Sequence, residues 1–262
     1  MPDRSGKGSL SVVGIGIRPG LHLTQETRVR IQRADDVLYL LAEIGPTGWI
    51  HALNASAESL APLYRPDREQ GEVYEELVES ALTRVRRGRN VCMVTYGNPA
   101  VFDDSSLEAI RRARAEGFRA RLLPAVSSLD CLFADLGLDP GKNGLQLHDA
   151  TDFLIFRRTP DLSVPLVLWQ ISVIGQTRTT GIVNRGGLRL LAERLGELYG
   201  GGHGVVVYEA SPFPVGPPMI ERSSVNNLAS AEVTGLSSLY VPAASNSTPD
   251  PAVRDRLSNL TA

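Results

Sequence analysis

The chain has 262 residues, enough for two modest domains each with its own core, and two are expected. With 27 basic against 29 acidic residues its formal charge is -2, which excludes a global basic field for holding nucleic acid or an anionic membrane. The opening MPDRSGKGSL lacks the apolar run of a signal peptide, and no segment reaches the roughly 18 apolar residues of a membrane span, so a cytoplasmic protein is expected.

LSVVGIGIRPG (Leu10 to Gly20) reads as a buried strand entering a Gly/Pro loop. Thr24 is the predicted N-cap of an amphipathic helix, and a strand follows over Val37 to Leu41, so the order spells a parallel βαβ unit. A helix over Val73 to Val85 puts Val73, Leu77, Val78, Ala81, Leu82 and Val85 on one face. The strand Asn90 to Thr95, a helix over Leu107 to Glu116 ending at Gly117, and the strand FRARLLP complete a first domain over residues 1–124. Beyond it, VSSLDCLFADLGL predicts a helix stopped by Gly137. Strands at Pro165 to Ile171, Val205 to Tyr208 and Ser237 to Pro242, with a helix over Leu188 to Tyr199, predict a mixed sheet over residues 125–243. Residues 244–262 are small and polar and are predicted to be a poorly ordered tail.

Cys92 and Cys131 lie far apart inside apolar runs and read as buried, reduced thiols. His22, His51, His148 and His203 are scattered, with no HExxH or CxxC spacing, so no protein-bound metal is expected. Gly14, Gly16 and Gly20 are spaced one residue too long for a dinucleotide fingerprint, and the ribose-binding acid at the end of the second strand is missing. The glycines are either a tight turn or a loop where a ligand approaches backbone. In an open parallel sheet ligands sit beyond the carboxyl ends of the strands. Three predicted strand ends there carry suitable residues: Gly14 to Gly16, Tyr96 to Phe102, and Pro124 to Ser128.

GIGIRPG followed by LT, then YGNPAVF and LPAVSS, together resemble the tetrapyrrole methylase superfamily. ADDVLYLL, WIHALN, RARLLPAVSSLDCLFADLGLDP, DATDFLIFRR, LVLWQISVIG and GLSSLYVP are similar to the borosin peptide-backbone α-N-methyltransferases, over about residues 10 to 243. This resemblance implies a two-domain class III α/β methyltransferase fold, with a mostly parallel N-terminal sheet and a mixed C-terminal one. It implies S-adenosylmethionine as methyl donor and a backbone amide of a ribosomal precursor peptide as acceptor. Fungal members carry that peptide as a C-terminal extension, whereas no such segment follows GLSSLYVPAA, so a split arrangement is expected. In it the precursor is a separate chain with a helical recognition domain, and a homodimer binds two precursors as a heterotetramer. Two other functions stand beside this one: methylation of a tetrapyrrole or other small molecule, and a non-catalytic cofactor-binding partner.

Carried over position by position, the family's catalytic residues fall on Tyr64, Arg68, Tyr74 and Tyr96, and its cofactor contacts on Tyr96, Asn98, Val101, Phe102, Ser127, Ser128, Gln170, Tyr208, Ala210, Ser237 and Ser238. Asn98 replaces a family histidine; it can donate or accept a hydrogen bond but cannot titrate. The family's arginine lies four residues before the second tyrosine, where this chain has Gln70, and the nearest arginine is Arg68. An amide nitrogen is a poor nucleophile because its lone pair is delocalised into the carbonyl. Tyr64 or Tyr74 is therefore expected to act as base, with Arg68 lowering its pKa or neutralising the imidate, and Tyr96 to hold the substrate carbonyl.

Overall fold

The computed structural model describes residues 8–41, 47–65, 68–178, 181–213 and 215–260. The chain divides into two compact units. The first comprises residues 1–138 with 176–181 and 210–219, and the second comprises 139–175, 182–209 and 220–262. The first unit therefore includes the helix after Pro124, which the sequence pattern assigns to the second domain.

In the first unit the elements alternate as β1 (Ser9–Gly14), α1 (Gln25–Arg33), β2 (Asp36–Leu40), α2 (Gly48–Leu53), β3 (Ala57–Ser59), α3 (Gln70–Arg86), β4 (Asn90–Thr95), α4 (Asp104–Ala115), β5 (Arg119–Leu123) and α5 (Ser128–Leu136). The five strands form one sheet in the order β3-β2-β4-β1-β5. All the pairings are parallel, with Gly14 level with Thr95 and Thr95 level with Leu40. The central strand β4 (NVCMVT) is near-continuously apolar because both of its faces are covered. Leu10, Val12, Leu38 and Met93 point to the side packed by α3 and α4, where the six-residue stripe of α3 read from the sequence is buried in full. Val13, Val37, Tyr39, Cys92 and Val94 point to the other side, against Ile31 of α1 and Ile50 of α2. Thr24 caps α1, its hydroxyl accepting from the Thr27 N–H at 3.1 Å. Gly137, with φ 66°, ends α5.

The second unit contains α6 (Pro140–Asn143), β6 (Gln146–Asp149), α7 (Ala150–Ile155), β7 (Leu166–Trp169), α8 (Arg185–Tyr199), β8 (Gly204–Glu209), β9 (Met219–Ser224), β10 (Ser238–Val241) and α9 (Pro251–Leu260). Its sheet runs β6-β7-β10-β8-β9 and is mixed: β6 and β7 are parallel, and β10 is antiparallel to both β7 and β8.

Two expectations are corrected. Within the predicted tail, residues 251–260 are helical. The Asp250 carboxylate accepts from the N–H groups of Ala252 (2.9 Å) and Val253 (3.2 Å), and Pro251 opens the helix. The Asp250 cap and Pro251 favour a helix start at this point, and every residue of α9 is exposed. Of the two thiols, Cys92 is buried and its pKa is pushed up to about 12 by burial, but Cys131 is only half-buried, on α5. Among the described residues no helix is long and apolar enough to cross a membrane, and no group of three His, Cys, Asp or Glu side chains is placed to hold a metal.

Candidate active site

The three strand-end loops read from the sequence meet at the carboxyl edge of the first sheet. Gly14 is the point of convergence. A Cβ there would lie 2.7 Å from Pro99 Cδ and 2.8 Å from Ala125 Cβ, and would overlap the Gly97 carbonyl oxygen outright, so only glycine lets β1, β4 and β5 end side by side. Beyond Gly14 the loops are tied by reciprocal hydrogen bonds, Gly16 N–H to Gly97 O and Gly97 N–H to Gly16 O, each 3.1 Å. Both glycines have left-handed φ, 73° and 69°. His22 fastens the β1 loop: its Nδ1 accepts from the backbone N–H groups of Ile17 (3.2 Å) and Arg18 (3.3 Å). Burial and the Arg18 charge lower the His22 pKa, which keeps that nitrogen free to accept.

The stretch from Tyr96 to Asp104 forms the middle of this edge. The Tyr96 N–H donates to Leu40 O at 3.3 Å, and Tyr96 is half-buried. The Asn98 side chain serves its own turn: Oδ1 accepts from the Ala100 N–H at 3.0 Å, while its backbone carbonyl accepts from Val101 at 2.9 Å. A short amide closes the loop where an imidazole cannot make the same Asx turn. Val101 is half-buried, and Phe102 holds φ 60° and is 47% exposed. A bulky residue in left-handed backbone is strained by about 1–3 kcal/mol, and such strain gathers at ligand sites. Asp103 then caps α4, accepting from the Ser106 N–H at 3.0 Å.

Tyr64 and Tyr74 pack against the α3–α4 side of the core, half-buried, and both phenols feel the Asp103 carboxylate. Burial raises the pKa of each, and for Tyr64 the neighbouring Tyr74 and Asp103 raise it further. The expected lowering by Arg68 is absent from both. Arg68 is ion-paired with Glu76, and the group at Tyr74 is Gln70, whose Nε2 donates to the phenolic oxygen at 2.6 Å, the one contact that lowers the Tyr74 pKa. Gln70 and Tyr74 stand one turn apart on α3, where side chains meet, whereas Arg68 precedes the helix. Residues 176–178 strap this helix start: the Gln70 N–H donates to Thr177 O at 2.8 Å, and Arg178 pairs with Glu69 at 2.5 Å.

Ser127 opens α5. Its hydroxyl donates to Asp130 Oδ2 at 2.6 Å and accepts from the Asp130 N–H at 3.2 Å, forming a capping box at the start of α5. That hydroxyl is committed to the helix; Ser128, half-buried at the first helical position, carries no such bond. Ala210 is buried in the first unit.

The remaining residues belong to the second sheet and share one of its edges. Ser238 is level with Tyr208, and Leu239 with Leu168, so the start of β10 lies beside the ends of β7 and β8, where Gln170 follows Trp169. Gln170 is exposed with φ 58°, Tyr208 is 1% exposed, and Ser237 and Ser238 are buried. The Ser237 hydroxyl accepts from the Thr234 N–H at 2.9 Å and donates to Glu209 at 3.4 Å.

Two residues went unnoticed in the sequence. Thr95 and Ser172, 4% and 2% exposed, each hold a buried hydroxyl that finds no hydrogen-bond partner among the described residues. One ends β4 beside Tyr96, and the other lies two residues past Gln170. Leaving a buried hydroxyl unmade costs about 1–3 kcal/mol, so each of these two is a place where a ligand or an ordered water would be stabilised. Nothing in a lone Thr or Ser of a β-prone run signals this before the strand ends are known. In the first unit the orphan Thr95 hydroxyl, the glycine-lined backbone and the left-handed Phe102 fit a flat nucleoside cofactor such as S-adenosylmethionine.

The sequence profile of the family described as Tetrapyrrole (Corrin/Porphyrin) Methylases matches residues 9–212. A methyltransferase/ribosomally synthesized cyclic peptide gymnopeptides precursor of Gymnopus fusipes is 34% identical over 260 residues, 97% of this chain and 62% of that protein. A methyltransferase/ribosomally synthesized type I borosin cyclic peptide precursor of Coprinopsis marcescibilis is 36% identical over 242 residues, 90% of this chain and again 62% of that protein. The chain thus spans about 62% of the length of these relatives. Uroporphyrin-III C-methyl transferase from Thermus thermophilus, solved in complex with S-adenyl homocysteine, shares the fold. Its TM-score is 0.61 at 19% identity, over 90% of this chain and 97% of that one.

Proposed function

We propose that this chain, which belongs to the tetrapyrrole (corrin/porphyrin) methylase family, is an S-adenosylmethionine-dependent methyltransferase acting on backbone amides of a ribosomally made peptide. The observation that carries the acceptor class is the Tyr74–Gln70 pair beside Tyr64 and Asp103, the residue that caps α4 just past the β4 strand end. The names of its fungal relatives, which join methyltransferase and peptide precursor, support the same acceptor.

When bound, S-adenosylmethionine supplies an electrophilic methyl group and keeps the S–C electron pair as a neutral thioether. The chain's own task is the amide proton, because the nitrogen lone pair becomes available only as that proton leaves. Tyr74 is the base in this proposal, since Gln70 donates to its oxygen and favours the phenolate, whereas Tyr64 has no such donor among the described residues and burial keeps it protonated. Tyr64 and Tyr96 then offer O–H groups to the amide oxygen as charge grows on it. The role carried over to Arg68 passes to Gln70. In this proposal Thr95, Tyr96, Asn98, Val101, Phe102, Ser128 and Ala210 of the first unit contact the cofactor, and Gln170, Tyr208, Ser237 and Ser238 keep the cofactor-binding role that the family resemblance implies for them. Ser127 acts through the helix that it caps.

The finer proposal is a peptide supplied as a separate chain with a helical recognition domain, two of them bound by a homodimer. Incubating the purified chain with S-adenosylmethionine and a candidate precursor peptide, then reading masses, tests it: a ladder of methyl increments on the added peptide is the expected result. Increments only on residues of the enzyme's own polypeptide would place the acceptor in cis. Spectral change of an added porphyrin or corrinoid precursor would point to a small-molecule acceptor instead. Cofactor binding with no turnover on any of these would leave a binding partner rather than an enzyme.

A further inference from the structure

His22 lies half-buried in the loop that leaves β1, and it grips that loop at two points. Its backbone N–H donates to Arg18 O at 3.0 Å, and its ring Nδ1 accepts from the N–H groups of Ile17 and Arg18 at 3.2 and 3.3 Å. Two donors aimed at Nδ1 require that nitrogen to carry no proton, so the ring is neutral with its hydrogen on Nε2. The base of the side chain is pressed against Gly16: a Cβ on Gly16 would lie 2.2 Å from His22 Cβ, closer than any real contact. Gly16 in turn exchanges hydrogen bonds with Gly97. His22 is thus one residue removed from the contact that closes the β1 loop onto the β4 loop.

The surroundings oppose a charge on this ring. A cavity of about 240 Å3 opens beside it, lined also by Arg18 and by Asp130, Cys131 and Asp135 of α5. The Arg18 guanidinium, whose Nε donates to Ser211 O at 3.3 Å, disfavours a second positive charge next to it. Asp130 would favour one, but its carboxylate takes the N–H and O–H of Ser127 in the α5 capping box. Asp135 stands more than a turn further along the same helix. Burial and Arg18 prevail, and the His22 pKa lies below its ordinary value.

We infer that His22 is a positioning residue for the carboxyl edge of the first sheet: its neutral ring holds the β1 loop closed on Gly97, and a proton on Nδ1 releases it. The inference rests on the methyltransferase function proposed above, in which the cofactor lies at that edge. Once protonated, Nδ1 is a third donor facing the Ile17 and Arg18 N–H groups, and both lose their acceptor. The closed loop therefore takes no proton at this nitrogen, whereas the open loop takes one near the ordinary histidine value of about 6.5. Closure is at full strength above that value and weakens about tenfold per pH unit as the pH falls below it. This acid limb is separate from the alkaline rise that Tyr74 brings. Asparagine in place of His22 would offer an oxygen the same number of bonds from the backbone as Nδ1, and it does not titrate.

Amide hydrogen exchange on the full chain, each rate divided by its unfolded-peptide value at that pH, tests the role of His22. In the wild type, protection at Ile17 and Arg18 is expected to fall about tenfold per pH unit below about 6.5. In His22→Asn it is expected to stay high and flat, and in His22→Leu low and flat. Calorimetry with S-adenosylhomocysteine at neutral pH should place His22→Asn within about twofold of the wild type and His22→Leu at least about fivefold weaker, the worth of one lost acceptor. Wild-type protection that is flat in pH, or that falls equally in His22→Asn, overturns the inference. So does a His22→Leu protein that binds S-adenosylhomocysteine as tightly as the wild type, since His22 would then hold a loop that the site does not need. A wild type that binds no S-adenosylhomocysteine at any pH would sink the methyltransferase function instead, with the exchange profile still deciding whether His22 holds the loop. If His22→Leu unfolds by circular dichroism, the wild type against His22→Asn, in exchange and in binding across pH, decides the matter.

Discussion

The carboxyl and amino edges of the first sheet are made by the same strands, yet they are built from different parts of the chain. At the carboxyl edge the shape is backbone: glycines that no side chain can replace, loops hydrogen-bonded to each other, and Phe102 held in left-handed φ. At the amino edge the backbone is regular, and the ties run to side chains, as where the Asp35 carboxylate accepts from the backbone and side-chain N–H groups of Asn90. One edge is therefore sensitive to a single added methyl group, and the other only to the loss of a hydrogen-bonding side chain.

The largest expected effect is on the carboxyl edge. Tyr74→Phe should lower the methyl-transfer rate by about 10²–10⁴-fold, the usual contribution of a general base. In the wild type the rate should rise about tenfold per pH unit from neutrality upward, because burial holds the Tyr74 pKa above its ordinary value and the phenolate is the scarce, reactive form. A rate that is flat in pH, read by single-turnover mass spectrometry, would remove Tyr74 as base and leave it as a hydrogen-bond donor. Next, Gly14→Ala should destabilise the fold by about 1–3 kcal/mol, as overpacking does, lowering Tm by roughly 2–4 °C for each kcal/mol in a chain of this size. Calorimetry showing an unchanged Tm would mean that the three loops can part without cost. At the amino edge Asp35→Ala should cost only about 0.5–1.5 kcal/mol, because water replaces the exposed carboxylate, and should leave cofactor affinity within about twofold. An equal loss of stability at both edges would erase the distinction between them. The smallest effect is Gln70→Ala: a severalfold loss of rate, with the rising limb of the pH profile displaced to higher pH as the phenolate loses its donor. Arg68→Ala, paired as Arg68 is with Glu76, should leave that limb in place.

Much of the scaffold was legible in the sequence for a physical reason: strong periodicity survives without knowledge of neighbours. The strand over Asn90 to Thr95, the buried stripe of α3 and the Gly137 stop after α5 all stand where the pattern puts them. Short elements were not legible. The three residues of β3 and the six of α2 carry too few positions to display a period. In the candidate site, sequence brought the right loops to one edge but could not assign their hydroxyls. Ser127 resembles a ligand contact until the Asp130 three residues on is seen to complete a capping box with it. Tyr74 was paired with Arg68 by charge, when the helical repeat already set Gln70 directly beneath it. His22 stood in the sequence as one of four scattered histidines, because its grip on the Ile17 and Arg18 N–H groups is a matter of loop geometry rather than of spacing.

The reciprocal bonds between Gly16 and Gly97 also constrain when this edge comes into being. The strand that carries Gly97 is made after β1, β2 and β3, yet it lies between β1 and β2 in the finished sheet. The early strands must hold a gap open, or part again, before β4 can slot in; closing contacts this distant in sequence is slow. A nascent chain that has not yet released β4 from the ribosome lacks the paired Gly16–Gly97 edge altogether. This edge therefore forms only once β4 has been inserted, and amide exchange at Gly16 and Gly97 should report that insertion as a single kinetic event.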